Sequence, residues 1–149
     1  MTRDNLPHAT VATLIERDGQ YLMVHEYRHD QWVYNQPAGH IENGESVINA
    51  AIRETKEETG WDVTPISIGG ISQFHAPSGT SYLRITLIAK ALKHHPAETL
   101  DDGIAAAVWL TYGQVLELKE QLRSPVVLKV IEDYRRGITY PLDLIYDHR

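Results

Sequence analysis

Residues 39–61 read GHIENGESVINAAIRETKEETGW, and this stretch decides the fold. Ser46 is a residue type that caps the N-terminus of a helix, because its hydroxyl accepts a hydrogen bond from a free backbone N–H. Gly60 is the type that best adopts the left-handed conformation just past a helix end. The pattern therefore predicts a helix that starts at Ser46 and stops at Gly60.

Three glutamates, Glu54, Glu57 and Glu58, lie in the last two turns of this predicted helix. The helix dipole is negative there, so each carboxylate is disfavoured by roughly 0.3 to 1 kcal/mol, and Glu54 also repels Glu58 one turn away. At about 100° per residue the three glutamates fall on one narrow arc. A second arc, which we expect to be buried, holds Ile48, Ile52, Thr55 and Thr59.

Carboxylates that converge in a restricted space suit a hard divalent cation with oxygen ligands. Mg²⁺ or Mn²⁺ fits better than Zn²⁺, which prefers nitrogen and sulfur. A solvated charged face is the usual explanation of a helix with several glutamates. Here the conflict with the dipole, the glycines before the helix and the spacing of the charges favour a metal site.

The spacing of the charged residues and glycines resembles the signature motif of the Nudix hydrolase family. Its matching positions are Gly39, Glu45, Arg53, Glu54, Glu57, Glu58 and Gly60. Thr55 and Trp61 depart from the motif, since the family usually has an aliphatic residue at both positions. The resemblance implies the Nudix fold, an α/β/α sandwich around a mixed β-sheet. It also implies Mg²⁺-dependent hydrolysis of a small organic diphosphate or triphosphate.

The resemblance further implies roles for single residues of the motif. The implied metal ligands are Glu54, Glu57, Glu58 and the backbone carbonyl of Gly39. Arg53 would be structural and hold the acidic side chains by ion pairing. Glu45 would support the loop or help to position a ligand or a water molecule.

Hydrolysis also needs a base that accepts a proton from the attacking water. Within the motif, Glu57 or Glu58 would serve. Three acidic residues precede a strand predicted at residues 104–110, and they are Glu98, Asp101 and Asp102. An acidic residue at this place often assists in the family, so Asp102 is our candidate. The alternative is that residues 101–103 only form a turn.

Stretches outside the motif resemble those of bacterial phosphatases in the same family. They are residues 35–40, 83–84, 122–125 and 140–142. This likeness implies release of orthophosphate from nucleoside triphosphates and diphosphates, or from a pyrimidine diphosphate of thiamine metabolism. The candidate pocket residues are Tyr34, Gln36, Phe74, His75 and Arg84. An aromatic ring would stack on a pyrimidine and Arg84 would bind a phosphate, the alternative being that each side chain only packs in the core.

Three other patterns point to different chemistry. Residues 25–29 read His-Glu-Tyr-Arg-His, the pattern of zinc proteases, which requires a helix. This segment continues a predicted strand, where residues four apart lie about 13 Å from each other, so we interpret both histidines as solvated at a strand end. Residues 39–46 have the glycine spacing of a P-loop, but Glu45 replaces its lysine. We interpret His94-His95 as exposed loop residues.

The composition is that of an ordinary globular protein, with 42% hydrophobic and 23% charged residues. A length of 149 residues fits one domain spanning residues 1–149. The net charge of −6 argues against binding the phosphates of nucleic acid. The sequence has no cysteine, which excludes disulfides and fits a reducing compartment, so we expect a cytoplasmic protein.

We expect neither a signal peptide nor a membrane-spanning segment, because the apolar runs are short and interrupted. The expected partner is a small phosphorylated molecule, and the protein would be a monomer or a homodimer. A Nudix-like domain that binds or senses a nucleotide without cleaving it is the alternative function. The three intact glutamates favour the enzyme over this alternative.

The remaining segments predict strands and two further helices around the motif. The predicted strands are residues 9–16, 20–24, 66–74, 82–92 and 104–110, with turns at 18–19 and 77–79. A short helix is predicted around residues 114–121. A longer one is predicted from Ser124, as N-cap, and Pro125 to about Arg135.

Overall fold

The computed structural model describes residues 6–148. Helix α1 spans Val47–Thr59, as the sequence predicts. The Ser46 hydroxyl accepts a hydrogen bond from the Asn49 N–H at 3.1 Å, and Gly60 ends the helix with a φ of 75°. The sequence-predicted helix and both of its caps are therefore confirmed.

In the described part of the chain, one eight-stranded sheet forms the centre of the molecule. The strands are β1 His8–Arg17, β2 Gln20–Arg28, β3 Gln31–Asn35, β4 Ala38–His40, β5 Trp61–His75, β6 Ser81–His94, β7 Ile104–Thr111 and β8 Tyr140–Pro141. Strand β1 runs parallel to β6, whereas β5 and β6 form an antiparallel hairpin. On the other side β2 pairs antiparallel with both β3 and β7. The sheet is therefore mixed, as expected.

Helices cover both faces of this sheet. Helix α1 packs Ala50 and Ala51 against Val11, Ile68 and Leu87. Helices α2 (Tyr112–Glu117) and α3 (Pro125–Arg135) cover the opposite face, and the residues buried there include Leu14, Met23, Ile88, Val115, Val127 and Ile131. Successive strand residues point to opposite faces, so one strand supplies both layers. The predicted α/β/α sandwich is confirmed.

Strand β5 starts five residues before its predicted start at residue 66. Pro65 lies within this strand, although proline cannot donate a hydrogen bond to a sheet ladder. In the structure the pairing register with β6 shifts between Pro65 and Ser67, so the proline lies at an irregularity of the sheet. The short strands β3, β4 and β8 are not predicted from sequence.

The second and third helices also differ from prediction in detail. The segment predicted as one helix at residues 114–121 is α2 followed by a 3₁₀ turn at Lys119–Gln121. Thr111 caps α2 in a capping box with Gln114, which explains the earlier start. Helix α3 begins at Pro125 as predicted, but the Ser124 side chain makes no capping hydrogen bond.

The two departures from the family motif are a buried residue, Thr55, and a partly buried one, Trp61. Thr55 is buried, and its hydroxyl lies 2.7 Å from the hydroxyl of Thr13 on β1. Trp61 stacks on His94 with ring centroids 4.8 Å apart and meets Trp109 edge-on at 5.6 Å. Polar and aromatic groups thus replace the usual aliphatic contacts.

Residues 25–28 of the His-Glu-x-x-His segment lie in strand β2, as the sequence predicts, and not in the helix that a zinc-protease site requires. His25 is not simply solvated, however. Its ring lies parallel to the Tyr34 ring at 4.3 Å and also contacts Trp32 at 4.9 Å. His95, expected to be exposed, is partly buried and lies 2.7 Å from the Asp62 carboxylate. Within residues 6–148, no helix is both long and apolar enough to cross a membrane.

Candidate active site

A cluster of carboxylates lies between the end of α1 and the loop before β7. Ligand atoms of Glu54, Glu58 and Asp101 all lie within 4.8 Å of one another. Glu54 and Glu58 are one turn apart on α1 and therefore share a face. All the donors are carboxylate oxygens, which fit a hard divalent cation such as Mg²⁺ or Mn²⁺.

Strand β4 closes this cluster on the side of the sheet. A β-carbon at Gly39 would collide with the Glu54 carboxylate, so only glycine allows this approach. The neighbouring Ala38 N–H donates a hydrogen bond of 2.9 Å to Glu58 Oε1. Gly39 is thus required for the position of a predicted metal ligand.

Arg53 holds the acidic side chains of the motif together. Its guanidinium donates to both oxygens of Glu45 at 2.6 and 2.9 Å, to Glu54 at 2.8 Å and to Glu57 at 3.1 Å. It also donates to the His40 carbonyl at 3.1 Å. This geometry is what the structural role implied for Arg53 requires.

Glu45 connects Arg53 to the loop before α1. Its Oε1 accepts a hydrogen bond from the Glu42 N–H at 3.1 Å. The hydrogen bond from Arg53 is the main cause that lowers the pKa of the Glu45 carboxyl. Glu45 is therefore placed to support the loop, one of the two roles implied for it.

Burial raises the pKa of two carboxyl groups in the cluster, those of Glu54 and Glu58. The pKa of Glu54 is raised chiefly by burial, against the lowering effect of Arg53. Burial raises the pKa of Glu58 to about 8, with further contributions from Glu26 and Glu54 and an opposing one from the Ala38 amide. A bound cation would stabilise the ionised forms that burial disfavours.

Asp101 is the residue of the loop before β7 that belongs to the cluster, whereas the sequence analysis chose its neighbour Asp102 as the candidate residue of this loop. The Asp101 N–H donates to the Glu57 carbonyl at 3.1 Å, which fixes the loop against the end of α1. Its own carbonyl accepts from the Ile104 N–H at 3.1 Å and closes the turn. Asp102 is exposed in that turn and is not among the clustered ligands, and its role as a base stays a prediction.

Glu57 also lies outside the clustered set of ligand atoms. Its side chain is 42% exposed and bonded to Arg53. Its predicted role as a metal ligand or base remains untested. The structure thus brings together two of the three predicted carboxylates and adds Asp101.

Two predicted pocket residues, Gln36 and Arg84, lie in the interior. Gln36 is 1% exposed. Its amide donates to the Val127 carbonyl at 2.8 Å and accepts from Arg84 at 2.6 Å. The expectation that Gln36 contacts substrate is therefore corrected, because both ends of its amide are used within the protein. Arg84 is 8% exposed and also donates to Asn35 at 3.2 Å.

The other predicted pocket residues lie at separate places. Tyr34 is partly buried, stacks on His25 and packs against the core that α3 covers. Phe74 and His75 lie at the end of β5, where the exposed His75 ring is 3.0 Å from the Ser81 hydroxyl. Their contact with substrate stays a prediction.

Sequence reasoning missed three charged residues near the cluster, Glu26, Arg28 and Arg123. Glu26 is 2% exposed, and its carboxylate accepts a hydrogen bond from Arg123 at 2.6 Å. Arg28 lies 3.6 Å from the same oxygen. Glu26 and Arg28 belong to the rejected zinc pattern, and Arg123 belongs to residues 122–125. The sequence analysis singled out both stretches but did not assign a role to these three charged residues.

Comparisons with known proteins agree with this geometry. The family model of the NUDIX domain matches residues 5–130. Phosphatase NudJ of Escherichia coli K12 is 36% identical over 141 residues, which cover 95% of this chain and 92% of that protein. The structure of a NUDIX hydrolase from Nitrosomonas europaea matches with a TM-score of 0.93 and 41% identity, covering 96% of this chain and 98% of that one. The MutT protein of Methanosarcina mazei Go1 shares the fold, with a TM-score of 0.71 at 21% identity over 89% of this chain.

Proposed function

Because this chain belongs to the Nudix family and is a hydrolase of phosphoanhydride bonds in small phosphorylated compounds, we propose that it is a Mg²⁺-dependent phosphatase. It removes orthophosphate from nucleoside triphosphates and diphosphates or from a pyrimidine diphosphate of thiamine metabolism. Mn²⁺ would replace Mg²⁺. The work of the protein is to hold the metal and the phosphates in place.

The carboxylate cluster is the observation that carries this proposal. Glu54, Glu58 and Asp101 offer oxygen ligands within 4.8 Å of one another beside the close approach of Gly39. A divalent cation bound there would neutralise phosphate oxygens and lower the pKa of a coordinated water. The protein's own part is to fix the ligands, and Arg53 does so through its hydrogen bond to Glu54. Glu57 and Asp102 remain the proposed additional ligand and base.

The similarity to relatives that are named phosphatase supports the proposal that orthophosphate is released instead of pyrophosphate. The chain matches one of them over 95% of its length at 36% identity. A nucleotide-binding or sensor domain without catalysis is the alternative. It is disfavoured because Glu54 and Glu58 are present, buried at least in part and oriented toward a third carboxylate.

We further propose that residues 1–149 form one domain, that it acts as a monomer or homodimer, and that it works in the cytoplasm. The family match over residues 5–130 supports one domain. The absence of cysteine is compatible with a reducing compartment.

The test is phosphate release from a panel of nucleotides and thiamine-pathway diphosphates, with Mg²⁺ and with EDTA. Products of a triphosphate are resolved over time by ion exchange. We expect orthophosphate and a diphosphate intermediate with Mg²⁺ and no turnover in EDTA. Direct formation of monophosphate and pyrophosphate would contradict the phosphatase assignment. Nucleotide binding without any turnover on the panel would favour the sensor.

A further inference from the structure

A buried carboxylate on β2 joins two arginines that come from different parts of the chain. Arg123 Nη1 lies 2.6 Å from Glu26 Oε1, and Arg28 Nε lies 3.6 Å from the same atom. Glu26 is 2% exposed, whereas the Arg28 and Arg123 side chains are 36% and 31% exposed. The anion is therefore enclosed, and both guanidinium groups remain accessible to a ligand.

Arg84 adds a third cation to this group. Its two hydrogen bonds go to the neutral oxygens of Asn35 and Gln36. Among the residues described, its Nε is one of the buried side-chain polar atoms that have no hydrogen-bond partner. Burial lowers the pKa of Arg84 to about 10, and repulsion by Arg123 contributes to this lowering. The negative charges of Glu26 and Glu58 raise the pKa of Arg84 and so act in the opposite direction.

The charges in this group do not balance. Glu26 is the one carboxylate that lies among these three guanidinium groups. Glu58 of the neighbouring carboxylate cluster also attracts Arg28 and Arg84 electrostatically. A buried or half-buried cation without a full counter-charge is unfavourable unless a ligand supplies one. The group formed by Glu26, Arg28, Arg84 and Arg123, called here the arginine group, thus has an excess of positive charge.

The arginine group borders the carboxylate cluster. The Tyr27 N–H donates to the Gly103 carbonyl at 2.8 Å, and a β-carbon on Gly103 would lie 2.9 Å from Arg28 Nη1. Gly103 follows the cluster residue Asp101 by two positions in the same turn. Arg28 also affects the pKa of Glu58, which it lowers. The excess of positive charge is therefore next to the metal-binding carboxylates.

We propose that Arg28 and Arg123, anchored by Glu26 and backed by Arg84, form an anion subsite for a phosphate group of the substrate that the carboxylate cluster does not hold. Guanidinium groups match phosphate oxygens by paired hydrogen bonds. The guanidinium groups of Arg28 and Arg123 are partly exposed, and each carries more N–H donors than its contact with Glu26 uses. The subsite rests on the proposed function, since it places a second phosphate beside the reacting one.

A purely structural role is the competing explanation, above all for Arg123. Its backbone N–H donates to the Tyr34 carbonyl at 2.8 Å, and its side chain ties the start of α3 to β2. The ion pair of Arg28 with Glu26, at 3.6 Å, is longer than the 2.6 Å pair of Arg123, so we expect the removal of Arg28 to test ligand binding with less effect on folding. Arg28 is therefore the position to change first.

The experiment is calorimetric titration of inorganic pyrophosphate into the full chain in EDTA, so that no metal contributes. The variants are Arg28→Gln, Arg28→Lys and, as matched control, Arg136→Gln, since Arg136 is an exposed arginine paired with Asp133. We expect the unchanged protein to bind pyrophosphate, and Arg28→Gln to bind it about tenfold or more weakly. Arg28→Lys should recover part of the affinity because it keeps the charge without the paired geometry. Arg136→Gln should bind as the unchanged protein does.

Equal affinities of the unchanged protein and Arg28→Gln, or no binding by the unchanged protein, would overturn the subsite. A higher KM for the best substrate in Arg28→Gln, with kcat largely unchanged, would support the subsite. A fall in kcat alone would contradict the subsite. Failure of the subsite is distinguishable from failure of the proposed function. If only the subsite is wrong, Mg²⁺-dependent turnover persists although pyrophosphate does not bind in EDTA. If the proposed function is wrong, pyrophosphate binds in EDTA but no substrate is cleaved.

Discussion

The carboxylate cluster and the arginine group are two charged regions with opposite balances. Around the cluster, one arginine, Arg53, donates to three glutamates. In the arginine group, one glutamate, Glu26, contacts two arginines and attracts a third through its field. Each region therefore lacks the charge that the other has in excess. A metal ion in one and a phosphate in the other would neutralise both, which is how a metal–phosphate substrate would be held.

Removal of Arg53 should have the largest effect on this arrangement. In Arg53→Ala, Glu45, Glu54 and Glu57 lose their shared partner, so turnover should fall about 10- to 100-fold as the ligands lose orientation. The free energy of unfolding should fall by about 1 to 3 kcal/mol because partly buried carboxylates are left unpaired. Turnover with Mg²⁺ and urea unfolding in EDTA measure the two effects.

Lys56→Ala is the matched control for Arg53→Ala. Lys56 lies on the same helix but is half exposed and pairs loosely with Asp62 at 3.7 Å. It should change neither quantity appreciably. If Arg53→Ala lowered turnover only in proportion to the loss of folded protein, Arg53 would not act on the ligands.

The two regions also differ in how far the sequence predicts them. Helix α1 and the two glutamates that it contributes to the cluster are encoded locally, because Ser46 and Gly60 mark the ends of the helix and the glutamates follow its period. The choice of Asp101 over Asp102 depends on a contact with the Glu57 carbonyl, which lies far away in sequence. The sequence of the turn does not indicate whether the side chain of Asp101 or that of Asp102 points toward α1.

The arginine group brings together residues from three segments that are distant in sequence, although Glu26 and Arg28 lie on the same strand, β2. Glu26 and Arg123 are 97 positions apart, and Gln36 and Val127 are 91 positions apart. Gln36 looked like a pocket residue because it borders the motif, but the pairing of strands places it inside. Such contacts depend on tertiary packing that no local pattern encodes.

The pH dependence of stability should differ between the cluster and the rest of the metal-free protein. The pKa of Glu58 is raised from 4.5 to about 8, so the folded state holds this proton more tightly than the unfolded state. Its contribution is present below the unfolded pKa and is lost as the pH rises through the folded pKa. In EDTA, the free energy of unfolding should therefore fall between pH about 5 and about 8, with Glu54 acting in the same direction.

Glu58→Gln should flatten this dependence, since the variant has no proton to lose at that position. Denaturant unfolding in EDTA at several pH values in this window gives the slope. The same slope in Glu58→Gln as in the unchanged protein would assign the dependence to other groups.

The two histidines of the His-Glu-x-x-His segment should have the smallest effect. His25→Ala removes a ring stacked at 4.3 Å on Tyr34, which should cost about 0.5 to 1.5 kcal/mol of stability. His29→Ala, at an exposed position, should cost almost nothing. The double variant should keep most of its turnover, measured at a temperature where it is fully folded. Joint loss of turnover and of bound zinc would restore the zinc-site interpretation.

The most direct test of the metal site compares Mn²⁺ binding, measured by electron paramagnetic resonance, with stability in EDTA for Glu58→Gln. Glu117→Gln is the control, because Glu117 is an exposed carboxylate at the end of α2 and thus also faces a helix dipole. We predict that Glu58→Gln binds Mn²⁺ at least about tenfold more weakly and loses turnover, yet is as stable in EDTA as the unchanged protein or more so. Undiminished Mn²⁺ binding, or a strong loss of stability with turnover falling only in proportion to folded protein, would make the carboxylate structural and contradict the account.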